Sequence, residues 1–213
     1  AMLAVPAGES LWGLFADVPS FNLWMTVFFG VLWGIGGLTF GLSMRYLGVA
    51  LGQSIALGTC AALGTIMGPV LMNVFFPELG ALASLTFAVV LGVVVTLVGI
   101  AVIGVAGSMK ASTLSEEEKR IAVRDFNFPK GLAIALLAGF MSGCFNVGLE
   151  FGKDINSGSL PDPMFRTLPA TLLVTVGGFF TNAVYCFWQN QRNGTWSDYG
   201  KVAVWRNNLF FCL

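Results

Sequence analysis

ALASLTFAVVLGVVVTLVGIAVIGVA, residues 81–106, holds no charged side chain and no proline, and its apolar residues follow one another without the alternation of a half-buried strand. As an α-helix rising about 1.5 Å per residue, it is long enough to cross the ~30 Å hydrocarbon core of a bilayer. Working outward, four further stretches meet the same requirement: 23–44, 49–76, 131–151 and 167–188. Lipid offers no hydrogen bonds to a bare backbone, so only helices and closed barrels cross it, and the near-continuous apolar runs lack the two-residue period of barrel strands. The sequence therefore predicts an all-α, polytopic transmembrane helix bundle.

Composition supports that reading. Apolar residues make up 56% of the 213 and charged residues 10%, against about a quarter charged in ordinary soluble domains. With a mean hydropathy of +0.80, the chain has too little polar material to cover a globule, so lipid must face much of its surface. The net charge is zero, which gives no reason to expect nucleic acid as a partner. Histidine is absent, removing His-based acid–base chemistry and His metal ligation. The four cysteines, Cys60, Cys144, Cys186 and Cys212, lie singly in or beside apolar stretches, in neither a zinc nor a disulfide spacing. Neither a cofactor nor a metal is expected, and without paired acids or an activated nucleophile at mid-depth an enzyme is the weakest reading.

Basic residues test the segmentation, because Lys and Arg are retained on the cytoplasmic side. With five crossings, Arg45, Lys110, Lys119, Arg120, Arg124, Lys130, Arg192, Lys201 and Arg206 fall on one side and only Lys153 and Arg166 on the other. The expected organisation is the end of a helix at 1–8, three spanning helices across 23–107, a cytoplasmic linker at 108–130, two spanning helices across 131–188, a cytoplasmic loop at 189–208 and the start of another helix at 209–213. Ser115 with Glu118 forms a capping-box pattern, predicting a short surface helix in the linker.

Glycines recur at four-residue spacing, at Gly30/Gly34, Gly37/Gly41, Gly48/Gly52, Gly64/Gly68, Gly139/Gly143 and Gly148/Gly152, which in lipid lets helix backbones approach closely. Pro69 and Pro169 can bend or break their helices. Polar side chains inside the spans mark a possible pathway, since each must find a partner within the bundle. Gln53 is placed near the cytoplasmic mouth, Ser142, Thr59 and Thr175 near mid-membrane, Asn146 in the outer third and Asn182 in the inner third. Asparagine both donates and accepts, which suits sugar hydroxyls and also suits interhelical hydrogen bonds. Glu150, the one acid within a predicted span, falls near the outer boundary as a candidate proton carrier, with an interfacial pairing to Lys153 as the alternative.

The stretch WGIGGLTFGLSMRYLGVALGQSIALGTCAALGTIMGPVL, residues 33–71, resembles the third and fourth helices of the L-rhamnose/proton symporter family of the drug/metabolite transporter superfamily. Met44-Arg45-Tyr46-Leu47-Gly48 is the most specific part. Agreement continues at Phe126-Asn127, Lys130-Gly131-Leu132, Gly139, Ser142, Gly177-Gly178 and Asn182. The resemblance implies a fragment of a fold of about ten helices that imports L-rhamnose or a related sugar with a proton across the bacterial inner membrane by alternating access. Its partners would be the sugar, protons and the bilayer, with sugar bound among the first, second, fourth and fifth segments and Arg45 and Tyr46 at an inner gate. Another permease or exporter of the superfamily, or a membrane sugar sensor that does not transport, are the other readings.

Overall fold

The computed structural model describes residues 13–16, 18–113, 125–156 and 167–201. Among them there is no strand. Five helices are long and apolar enough to cross a membrane: α1 (Ser20–Leu47), α2 (Val49–Phe75), α3 (Phe87–Thr113), α4 (Phe128–Phe151) and α5 (Leu168–Asn193). The expected helix ends at 1–8 and 209–213 and the helix expected after Ser115 lie outside the described residues.

The helix ends follow local chemistry. α1 and α2 are joined by Gly48 alone, whose φ of 83° is open to glycine and strained for other residues. Its amide donates to the Met44 carbonyl and closes α1. Gly52 has no Cβ where one would press on the backbone of Met44 at 3.1 Å, so the hairpin closes tightly. α4 begins at Asn127, whose side-chain oxygen accepts from the Lys130 amide at 3.1 Å, with Pro129 in the first turn. Pro169 likewise occupies the first turn of α5 and breaks nothing. The third span differs most from expectation: residues Ala81–Ser84 form a short 3-10 turn and the helix starts only at Phe87, after Gly80 in the left-handed conformation. The Thr86 hydroxyl accepts from the Val89 amide at this start. The Ala-Leu-Ala composition of the turn hides it from a hydropathy reading.

Neighbour contacts fix the directions. Gly58 lies against Ile100 and Gly107 against Leu51, so α3 runs antiparallel to α2. Gly131 abuts Tyr46 and Leu47 while Gly148 abuts Thr26 and Phe29, so α4 runs antiparallel to α1; against α2 it runs parallel, Gly139 meeting Ala56 and Thr59 and Gly143 meeting Gly64. α5 runs parallel to α1, with Gly30 at Val174 and Gly34 at Gly178 and Thr181. Spans therefore alternate in direction along the chain. Arg45, Lys110, Lys130 and Arg192 end at one face of the bundle and Lys153 at the other, which makes the first face cytoplasmic.

α4 is the centre, packed between α1 and α2, with α5 flanking α1 and α3 flanking α2. At the outer end Phe151 is fully buried, stacked on Phe29 at 5.6 Å and met by the rings of Phe21, Phe75 and Phe76. Nearer the cytoplasm Leu47, Ile55, Ala56, Ala135 and Ala138 form a second buried cluster. Among the glycine pairs read from sequence, Gly37 and Gly41 face open space, whereas Gly30/Gly34, Gly64/Gly68, Gly139/Gly143 and Gly148/Gly152 meet neighbouring helices. Gly177 and Gly178 on α5 complete the contact with α1, where the Thr181 hydroxyl donates across to the Val31 carbonyl at 2.9 Å.

A methyl group at Gly177 would collide with the Val27 carbonyl, whereas one at Gly92 meets nothing. Gly177→Ala is expected to cost about 1–3 kcal/mol of stability by overpacking, seen as a loss of thermal midpoint in detergent. Gly92→Ala should leave the midpoint unchanged or raise it.

Candidate functional site

On the outer half of the bundle a cleft of ≈ 350 Å³ opens between α2, α4 and the turn leading into α3. Its polar lining comes from Thr65, Ser84, Asn146 and Glu150, and its backbone from Gly64 and Pro69. The volume falls in the range of small-molecule sites, ~300–1,000 Å³. Glycine spacing builds it. Gly64 and Gly68 stand four apart on α2, and Asn146 and Glu150 stand four apart on the parallel α4. A Cβ at Gly64 would approach the Asn146 amide nitrogen to 2.5 Å, and one at Gly68 would approach the Glu150 Cγ to 2.9 Å. Each bare glycine therefore seats one polar side chain. Glu150 is also paired with Lys153, one turn on and just past the end of α4, so the interfacial pairing read from sequence is present and coexists with a place in the cleft.

The hydrogen-bond inventory gives the cleft its character. Thr65 donates its hydroxyl proton to the Ala61 carbonyl at 2.8 Å, and Ser84 donates its own to the Ala81 carbonyl at 2.7 Å. Both oxygens face further partners as acceptors only. Pro69 has no amide hydrogen, so the Thr65 carbonyl lacks its regular helical donor.

The other residues singled out in the sequence do not join this cleft. Ser142 lies on the α1 side of α4, its backbone nitrogen and hydroxyl against Gly36. Thr59 is buried between α2 and α4 beside Gly139, and its hydroxyl has no hydrogen-bond partner among the described residues. Gln53 is exposed near the start of α2. Thr175 and Asn182 are exposed on α5, their side chains donating to the Thr171 carbonyl at 2.7 Å and the Gly178 carbonyl at 2.8 Å. Asn146 and Asn182 thus stand on different surfaces of the bundle.

At the cytoplasmic end Arg45 pairs with Asp125 at 2.6 Å, the Asn127 amide donates to the Tyr46 carbonyl at 3.1 Å, and the Lys130 ammonium sits 4.5 Å from the centre of the Tyr46 ring. The ion pair is largely exposed, so solvent screening makes it a weak tie. These contacts fasten the start of α4 to the α1–α2 hairpin. Asp125 was not signalled by the sequence reading: it is one acid in a polar linker, and nothing in its spacing points 80 residues back to Arg45. Thr65 and Ser84 were likewise missed, because they come together only where α2, α4 and the turn before α3 pack.

A bundle of alternating spans with an open, partly polar cleft on its outer half fits the class of polytopic membrane transporters. The profile of the L-rhamnose-proton symport protein (RhaT) family matches residues 3–204, and the chain belongs to that family. It is similar to the L-rhamnose-proton symporter of Cronobacter sakazakii, 32% identical over 179 residues, and to that of an Enterobacter species, 31% over 182; each match takes in 83% of this chain and 50% of the relative. That of Yersinia pestis bv. Antiqua is 31% identical over 179 residues, with the same shares. The chain spans about half the length of these curated relatives. No solved structure matches it. It is a multi-pass protein of the bacterial inner membrane, of a transporter and not an enzyme family.

Thr59→Val keeps the shape of the side chain and removes the unpartnered hydroxyl. It is expected to raise stability by about 1 kcal/mol, equivalent to roughly 2–4 °C in a thermal melt of a protein this size. A fall in the midpoint would show that the hydroxyl has a partner in the intact protein.

Proposed function

We propose that the intact protein carrying this sequence takes up L-rhamnose or a closely related sugar together with a proton, by alternating access. Family membership supports proton-coupled sugar symport. The observation that carries the residue-level reading is the seating of Asn146 and Glu150 side by side in one outward-placed cleft, with the cytoplasmic ends of α1 and α4 tied together below. Asn146 contacts sugar hydroxyls as donor and acceptor. Glu150 carries the coupled proton: when protonated it no longer needs the Lys153 ammonium, and a carboxyl that loads on the outer side and discharges inside couples the proton gradient to sugar entry. Arg45, with Tyr46 and Asp125, forms the inner gate that parts for release.

Gln53, Thr175 and Asn182 are assigned to a pathway that includes surfaces contributed by other parts of the intact protein, and Thr59 and Ser142, packed against Gly139 and Gly36, join it only when the helices of this bundle part. Exposure of Gln53, Thr175 and Asn182 on apolar helices supports this, because polar groups facing lipid are costly and polar groups facing a cavity are not.

Proteoliposomes containing the intact protein test the assignment. Wild type is expected to accumulate L-rhamnose under an inward proton gradient, and failure to do so refutes substrate and coupling together. Glu150→Gln is expected to abolish gradient-driven accumulation while preserving sugar counterflow, because exchange needs no net proton movement. Asn146→Ala is expected to raise KM about tenfold, the equivalent of one lost hydrogen bond of roughly 1.4 kcal/mol. Sugar binding without counterflow in wild type would favour a sensor, and outward flux alone an exporter.

A further inference from the structure

We infer that the backbone carbonyl of Thr65, freed by Pro69, is itself a ligand-binding group of the cleft, and that the cleft selects ligands as hydrogen-bond donors. This rests on the sugar-transport reading above and goes beyond it by naming the group and the direction of its hydrogen bond.

In a regular helix the carbonyl of residue 65 points along the axis toward the amide of residue 69 and is used there. Proline removes that donor. Thr65 and Pro69, the two ends of the missing bond, both line the cleft. Gly64 and Gly68 are buried beneath Asn146 and Glu150 of the facing helix, whereas Thr65 between them is exposed and Pro69 half-buried. A ligand in the cleft can therefore reach main chain on α2.

The remaining lining is short of donors. Thr65 and Ser84 have committed their hydroxyl protons to the Ala61 and Ala81 carbonyls. Glu150, when ionised, only accepts, and its described charged partner is Lys153. That leaves the Asn146 amide, joined by Glu150 only while it carries the proton, as the donor among the described lining groups, against acceptors on Thr65 (carbonyl and hydroxyl), Ser84, Glu150 and Asn146 itself. A lining so biased suits a compact polyol, whose hydroxyls each bring a proton to give. It disfavours a carboxylate or phosphate, which would bring further acceptors.

The Pro69→Ala substitution separates this role from a structural one, because the two predict opposite results. Alanine returns an amide hydrogen to position 69 and lets it pair with the Thr65 carbonyl. As a helix repair this leaves stability unchanged or improved. As the loss of a ligand acceptor it raises KM. In proteoliposomes of the intact protein, Pro69→Ala is expected to raise the KM for L-rhamnose roughly five- to tenfold, with Vmax within about twofold of wild type and the thermal midpoint no lower. Pro69→Ser restores the same amide and should behave alike, so the test does not depend on one variant folding.

Analogues in which single hydroxyls are replaced by fluorine, which cannot donate, give a second reading. One of them should raise the wild-type KM by a similar factor while Pro69→Ala adds nothing further. An unchanged or lower KM in both Pro69 variants overturns the inference, as does a Pro69→Ala penalty equal for every analogue. Failure of wild type to accumulate any sugar would instead overturn the function proposed above, so the two failures are distinguishable.

Discussion

Close backbone approach around α4 is the constraint on which the bundle depends. In water two apolar helices are driven together by burying surface, but in lipid the acyl chains are as apolar as leucine and that force is absent between spans. What remains is van der Waals contact and the occasional hydrogen bond, and both need the helices to come near. α4 meets this demand with Gly131, Ala135, Ala138, Gly139, Gly143 and Gly148, all buried. Against it α2 sets Ala56, Gly64 and Gly68, and α1 sets Gly36. The opposite design is visible in α3, the most apolar of the spans, whose large side chains Val94, Val95, Val98, Val102 and Val105 are exposed and which touches the bundle at few places. Apolarity puts α3 in the membrane, while small residues put α4 at the centre.

This distinction explains what could be read from the sequence. Hydropathy and length located all five spans, and the distribution of Lys and Arg gave their alternation, because both are properties of the chain's relation to solvent. The start of α3 was misplaced by six residues because Ala81–Ser84 is apolar and of good helical composition, and only the left-handed Gly80 and the capping hydroxyl of Thr86 mark the break. Glycine periodicity was visible too, but which pairs meet a neighbour was not: Gly37/Gly41 has the same spacing as Gly64/Gly68 and faces open space.

Site residues were legible one at a time and not as a constellation. Asn146 and Glu150 were identifiable as polar groups in an apolar helix, and their shared face follows from their four-residue spacing. Their seats on Gly64 and Gly68 depend on the parallel register of α2 and α4, two helices separated in sequence by an entire span and a linker. Depth estimates placed Asn146 and Asn182 in different thirds of the membrane, yet depth carries no information about azimuth. α5 packs mainly on α1 and meets α4 only toward its outer end, away from α2 and the cleft, so the two asparagines project from different surfaces. Arg45 was noticed for its motif, and Asp125 was found only through the fold.

The two prolines that sequence reading treated alike show how position decides cost in a membrane. Pro169 stands in the first turn of α5, where the amide it lacks would have had no helical acceptor, and it imposes no penalty. Pro69 stands six residues from the end of α2, where a helix-interior proline costs about 3 kcal/mol and leaves one carbonyl without its donor. A polar group left unpaired against hydrocarbon would add a further cost of several kcal/mol. In α2 both ends of that missing bond, Thr65 and Pro69, line the cleft beside Asn146 and Glu150. The cleft is therefore the place where this helix's backbone defect is tolerable, and the polar groups gathered there follow from the same requirement that keeps the rest of the span apolar.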